Sequence, residues 1–125
     1  MKLELPYKIK DDRGYIQDLL TNDKFDAVTL ITMRKGAIRG NHYHKLTTQW
    51  TFIINGVLEI ATKKVISDKI VIDQLCADEM HLSAPNVCHG LRALEDCKIL
   101  IITKGPRAGF DYESDTFRLE KSMFE

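Results

Sequence analysis

Two runs of β-prone residues meet at Asn55-Gly56, and no other stretch limits the fold as tightly. Gln49-Trp50-Thr51-Phe52-Ile53-Ile54 precedes the pair and Val57-Leu58-Glu59-Ile60-Ala61-Thr62 follows it. Asn-Gly between such runs is the strongest short hairpin signal, because a type I′ turn needs φ > 0 at both central residues. The sequence therefore predicts a hairpin over residues 49–62. Ala27–Met33 is short and rich in β-branched residues, which favours a strand over a helix. Tyr15–Leu20, Ile70–Leu75, Met80–Leu82, Val87–Leu94 and Cys97–Thr103 also read as strands, and His42–Lys45 as extended. Turn residues separate them at Asp11–Gly14, Asn22–Lys24, Ser67–Lys69, Asp78-Glu79, Pro85-Asn86 and Glu95-Asp96, with breaks at Gly36 and Gly40 and a loop over Gly105–Gly109. Phe110–Glu125 is charged with spaced aromatics and fits a strand, a short helix or a partner-binding arm. Short strands at regular spacing, without helical periodicity or repeats, predict one all-β domain over residues 1–125, a sandwich or barrel.

Charge excludes some partners. Lys+Arg and Asp+Glu number 18 each, so no basic excess points to nucleic acid or an anionic membrane surface. No apolar run reaches the roughly 20 residues that span a bilayer, and the N-terminus lacks the apolar core of a signal peptide. A cytoplasmic protein is expected. Cys76, Cys88 and Cys97 show no metal or redox spacing and read as free buried thiols. Cys88 adjoins His89, but neighbours in a strand point to opposite faces, so that pair should diverge.

The chemistry gathers in Arg39-Gly40-Asn41-His42-Tyr43-His44-Lys45, followed by Gln49 and, behind the turn at Pro85, by His89. Two histidines one residue apart share a face of an extended segment. Held together, they suit either of two tasks. Three imidazoles and an amide oxygen (His42, His44, His89 and Gln49) offer a ligand set for a divalent metal, although Gln brings no charge to neutralise one. The same imidazoles suit proton transfer, because histidine titrates in the right range for a base or an acid. Neutral Gln49 can donate to a developing oxyanion, which an ionised Glu cannot. Arg39 can pair with a phosphate bidentately.

Gly36, His42, His44, Gln49 and Gly56, then Asp78, Pro85 and His89, resemble the two motifs of the cupin superfamily. Gln49 stands where metal cupins have Glu, and Asp78-Glu79, Asn86-Val87 and Ala93 depart from the second motif. A narrower resemblance runs through Asp12-Arg13-Gly14, Gly36-x2-Arg39-Gly40-x-His42-x-His44-Lys45, Gln49 and Asp111-Tyr112-x2-Asp115. It is to the sugar-nucleotide cupins, the dTDP-4-keto-6-deoxyglucose ketoisomerases and more distantly the dTDP-4-dehydrorhamnose epimerases.

The resemblance implies a cupin-type double-stranded β-helix (a jelly-roll barrel), a homodimer, and a nucleotide-sugar substrate in cell-surface polysaccharide biosynthesis. On this reading His42 and His44 are the catalytic pair, with the choice of base open. Arg39, Gln49, His89 and Lys45 bind substrate, and no cofactor is required. One alternative is a metal-dependent cupin, an oxygenase or small-molecule isomerase, using His42, His44, Gln49 and His89. Another is a non-catalytic sugar-binding module.

Other residues take plainer expectations. His81 reads as a satisfied core or surface histidine. Trp50 is expected to pack on the opposite sheet face or a dimer interface. Lys45 is solvated by default, and Asp111, Glu113 and Asp115 read as a solvated acidic run. Tyr15, Tyr43 and Tyr112 can each donate a proton or touch a sugar, and their sequence does not choose among them.

Overall fold

The computed structural model describes residues 1–5, 8–107 and 109–124. Ala108 in the expected 105–109 loop and Glu125 at the end of the tail lie outside the described residues. The elements are β1 (Lys2–Leu3), β2 (Lys8–Asp11), β3 (Gly14–Gln17), β4 (Ala27–Met33), β5 (Ile38–Tyr43), β6 (Thr48–Asn55), β7 (Val57–Lys64), β8 (Val71–Cys76), β9 (Met80–Ser83), β10 (Val87–Ala93), β11 (Cys97–Lys104), α1 (Gly109–Ser114) and β12 (Phe117–Arg118). Every strand pair is antiparallel. One sheet runs β1-β9-β6-β11-β4, a second β12-β5-β10-β7-β8, and β2-β3 forms a separate hairpin.

Asn55-Gly56 is a corner, not a hairpin. Both flanking runs are strands, as their composition predicts, but β6 pairs with β9 and β11 while β7 pairs with β8 and β10. The pair carries the chain from one sheet to the other. Only Gly56 has positive φ (93°); Asn55 does not, so the type I′ expectation fails. Gly56 is required for a second reason. A Cβ there would lie 2.4 Å from the Asp96 carbonyl oxygen and 2.8 Å from Cys97 Sγ. Local turn chemistry signals the reversal but not which sheet receives the second strand.

The core fills the space between the sheets. Ile53, Ile99 and Ile101 from the first face Leu58, Ile60, Leu75 and Leu91 from the second, and all are buried. The first sheet is covered on its outer side as well. There Trp50, Phe52, Met80 and Ile102 pack under Leu3, Leu5, Leu19 and Leu20. This agrees with the opposite-face expectation for Trp50 and explains why β6 reads as a nearly continuous apolar run. The second sheet's outer face carries Ala61 and Cys88 beneath Met123, Leu119 and Phe124 of the tail. The tail is therefore a strap made of α1, β12 and a buried anchor at Met123.

Two smaller expectations need correction. Cys76 is exposed rather than buried, because it ends β8 at the sheet edge. The strand expected over 15–20 stops at Gln17, and Leu19 and Leu20 instead cap the outer apolar cluster.

Candidate active site

The site starts from a break in the pleat of β5. Alternation should put Arg39 and His42 on opposite faces, since they differ by an odd number of positions. Gly40 and Asn41 both take left-handed backbone (φ 81° and 56°). Opposite them, His89 pairs with His42 and Gly90 with Gly40, which leaves Asn41 as the extra residue of a β-bulge. The bulge turns Arg39 and His42 into the same cavity. Glycine suits position 40 because a Cβ there would also approach the His89 carbonyl oxygen to 3.0 Å.

Three imidazoles meet here: His42 and His89 line the cavity, and His44 packs against both rings. Ring centroids are 4.8 Å apart for His42–His44 and His42–His89, and 5.3 Å for His44–His89. His44 and His89 are buried and His42 is half-buried. His44 Nδ1 lies 2.8 Å from the main-chain oxygen of Asp115. A carbonyl only accepts, so Nδ1 carries the proton and Nε2 keeps a lone pair. That Nε2, and both ring nitrogens of His89, are buried without a hydrogen-bond partner.

Burial sets the protonation state. It lowers the pKa of His42 to about 4, helped by repulsion from His44, Arg118 and Arg107. Burial also lowers that of His44, against an opposing effect of the Asp115 carbonyl. His89 falls well below the ordinary range through burial and its two histidine neighbours. All three rings are thus neutral at pH 7 and available as bases or ligands.

The cavity, of about 440 Å³, is lined by Arg39, His42, Gln49 and His89 from the strands and by Arg107, Tyr112 and Arg118 from the C-terminal segment. Gln49 shares the inner face of β6 with Thr51, to which its amide donates at 3.4 Å. The Arg107 guanidinium lies 4.5 Å above the Tyr112 ring, whose centroid is 5.4 Å from that of His44. Arg118 makes two 3.0 Å bonds to Glu113 at the mouth. Three arginines against one paired carboxylate make this an anion-attracting cavity.

Of the residues expected here from sequence, Arg39, His42, His44, Gln49 and His89 come together, and Lys45 does not. Its ammonium rests 4.5 Å from the centre of the Phe117 ring, on the face away from the cavity lining. Asp115 is not solvated: it is buried and accepts from the amides of Lys45 (2.9 Å) and Leu46 (3.2 Å) and the hydroxyl of Thr47 (3.1 Å). Its partners lie about 70 positions upstream, so the resemblance marks the position but no local pattern shows its bonds. Arg107 and Arg118 were invisible in sequence, since only the strap's path brings them in. Among the tyrosines, Tyr112 faces the site, whereas Tyr15 bonds Asp78 and Tyr43 stacks on Phe117. His81 is a satisfied core residue beside the Met1 amine, Asp73 and Ser83. Cys88 points away from His89 into the outer cluster, and burial raises its pKa. A larger crevice of about 830 Å³, lined by residues such as Lys63, Lys69, Val71 and Leu82, has no imidazole or thiol among its described lining residues.

Comparisons with known proteins fit this architecture. A mutant of the 3,4-ketoisomerase QdtA from Thermoanaerobacterium thermosaccharolyticum, in complex with TDP-4-keto-6-deoxyglucose, superposes with a TM-score of 0.78 at 21% identity, over 95% of this chain and 86% of that one. The dTDP-4-dehydrorhamnose 3,5-epimerase of Sulfolobus tokodaii gives 0.73 at 21% identity, over 84% and 70%. The epimerase RmlC of Legionella pneumophila, in complex with dTDP-4-keto-L-rhamnose, gives 0.74 at 15% identity, over 91% and 69%. A search of curated protein sequences finds no match. The likenesses in structure show that the two sheets form the cupin-type barrel. A family model described as the polysaccharide biosynthesis C-terminal domain matches residues 9–104, and the chain therefore belongs to that family.

Proposed function

We propose that this protein is an isomerase that moves a proton on a nucleotide-linked keto sugar, most simply a 3,4-ketoisomerase. One observation carries the reading: His44 is locked by the Asp115 carbonyl into the tautomer with a free Nε2, on a ring packed against His42 and His89, which line a cavity edged by arginines. The solved relatives that bind TDP-linked keto sugars point to the substrate class.

The chemistry follows from the residues. His44 Nε2 takes the proton from the carbon next to the ketone, and the electron pair moves onto the carbonyl oxygen to give an enediolate. Gln49 and the Tyr112 hydroxyl line the cavity where that oxyanion forms and are donors for it. The neighbouring hydroxyl gives up its proton as the enediolate oxygen gains one. The former carbonyl carbon is then protonated by the His44 imidazolium, directly or by way of His42 once His44 has passed it that proton. One C–H and one O–H bond break and one of each forms, so the ketone has moved one carbon. Arg39, Arg107 and Arg118 hold the diphosphate, whose negative charge offsets theirs and so raises the imidazoles' proton affinity once it is bound.

The same imidazoles support a second reading, a divalent metal site. Ligand atoms of His42, His44 and His89 lie within 4.8 Å of one another, and the unpartnered nitrogens are neutral, as ligands must be. Tetrahedral coordination at about 2.0–2.1 Å needs a closer approach, with Gln49 as an uncharged fourth ligand. Such a metal would polarise a substrate oxygen. Deuterium incorporation from D2O into dTDP-4-keto-6-deoxyglucose, followed by NMR, tests the first reading; metal quantitation on the purified protein tests the second. Exchange that is lost in His44→Asn and survives chelation supports proton transfer. No exchange with any keto sugar-nucleotide overturns it, and nucleotide-sugar binding without turnover identifies a binding module.

A homodimer accompanies this reading. The β2–β3 hairpin is exposed almost throughout, including Ile9 and Ile16, and edge strand β4 shows Val28 and Leu30 to solvent. Isolated hairpins and apolar edges gain most from a second copy. A nucleotide-sugar substrate also carries a cytoplasmic location with it, and among the described residues no helix is long and apolar enough to cross a membrane.

A further inference from the structure

We propose that Asn41 is a positioning residue that latches the C-terminal strap and so holds Arg118 in the substrate cavity. The observations begin with β12. This strand is two residues long, Phe117 pairing with Tyr43 and Arg118 with His42. Two ladder positions are a weak hold for a terminal segment, and such segments fray unless tied down. The strap is tied on both sides of Arg118. Ahead of it, Asp115 accepts from residues 45–47. Behind it, among the described residues, every hydrogen bond from residues 119–124 to the rest of the chain runs to Asn41. The Leu119 amide donates to the Asn41 main-chain oxygen at 2.8 Å. The Met123 amide donates to Asn41 Oδ1 at 3.1 Å, and Asn41 Nδ2 donates to Ser122 Oγ at 3.3 Å.

The bulge explains why this residue can do it. As the extra residue of β5, Asn41 takes φ 56°, a left-handed conformation that Asn tolerates better than most side chains. Its amide fills the outer face over Gly90, where a Cβ would meet Asn41 Oδ1 at 2.8 Å and the Phe124 ring at 3.1 Å. One distortion therefore turns Arg39 and His42 inward and the Asn41 amide outward. Met123, buried against Ala61 and Cys88, adds the apolar half of the anchor. Arg118, between the two ties, has among the described residues only the exposed Glu113 as its ionic partner. Its place at the cavity mouth therefore depends on the strap's path.

The functional half of this inference rests on the nucleotide-sugar reading; the latch does not. Asn41→Gly removes the amide and keeps the left-handed backbone, and Asn41→Asp keeps the acceptor for Met123. Amide hydrogen exchange by NMR reads the latch, and the Kd for dTDP with the kcat and KM for dTDP-4-keto-6-deoxyglucose reads the site. In Asn41→Gly we expect Leu119 and Met123 to exchange at least about tenfold faster while the β6 and β11 amides keep their protection. Kd and KM should rise about tenfold with kcat within about twofold, and Asn41→Asp should recover most of the affinity. Unchanged exchange at Met123 overturns the latch. Faster exchange with unchanged dTDP affinity overturns the positioning role. A wild-type protein that ignores dTDP overturns the functional reading alone, and exchange still decides the latch.

Discussion

His44 donates through Nδ1 to the main-chain oxygen of Asp115, a residue 71 positions further along the chain. The bond fixes one tautomer and gives His44 a role that His42, with no such partner, does not share. Because His44 presents a lone pair of known direction, its loss should cost more than that of His42. We expect His44→Asn to lower kcat by about 10³-fold, the range of a lost general base, with KM little changed. His42→Asn should lower kcat less and leave slow deuterium exchange. Single-turnover exchange in D2O compares the two, and a larger loss in the His42 variant would reassign the base.

Asp115 serves the site twice, since its carboxylate also gathers the amides of Lys45 and Leu46 and the Thr47 hydroxyl. Charge-assisted bonds of this kind are worth about 1.5–3 kcal/mol, and removing the acceptor leaves buried donors unpaired. Asp115→Ala should therefore lower the unfolding free energy by about 3 kcal/mol and cut kcat as the loop after His44 loosens. Asp115→Asn, which keeps an acceptor oxygen, should lose about half as much. Urea midpoints and kcat for both variants make the comparison.

Most of the fold was legible because its signals are local. β-branched runs such as Ala27–Met33 and Cys97–Thr103 mark strands, and Asp78 and Asn86 mark turns that the structure confirms with positive φ. The histidine pair and His89 were legible because their spacing survives any register that keeps β5 and β10 side by side. What escaped was long-range. Whether β7 returns beside β6 or crosses to the other sheet depends on pairings with β9, β10 and β11, which Asn55-Gly56 does not encode. Arg107 and Arg118 have no motif of their own, and the resemblance marks Asp115 without showing what it holds. Their roles exist only because the strap crosses the mouth of the barrel.

The sheet-to-sheet corner separates two neighbouring substitutions. In a type I′ hairpin both Asn55 and Gly56 would need positive φ, and replacing either would be costly. Here only Gly56 does, and its hydrogen faces the Asp96 carbonyl. Gly56→Ala meets main-chain oxygen at 2.4 Å and cannot be relieved by a side-chain rotation. It should destabilise by about 3 kcal/mol or more, combining overpacking with backbone strain. Asn55→Ala should cost under about 1 kcal/mol. Thermal unfolding of the two variants distinguishes corner from hairpin.

Stability should fall as the medium is acidified through the histidine range. Burial holds His42 and His81 at about 4, and His44 and His89 are lowered as well. In the unfolded chain all four titrate near 6.5. Between about pH 6.5 and 4 the unfolded state therefore binds more protons than the folded one, so stability rises with pH across that window and is complete above it. A raised histidine pKa would give the opposite slope. We expect the urea midpoint to be flat from pH 8 to 7 and to fall steadily from 6.5 to 5, where lysines and most carboxylates keep their charge. His81→Leu removes one fully buried contributor without touching the cavity, so it should flatten the slope while leaving turnover at pH 8 intact. A midpoint that does not move between pH 7 and 5 would mean that the imidazoles take up protons as readily in the fold as in the unfolded chain, and burial would then not be what keeps His44 neutral.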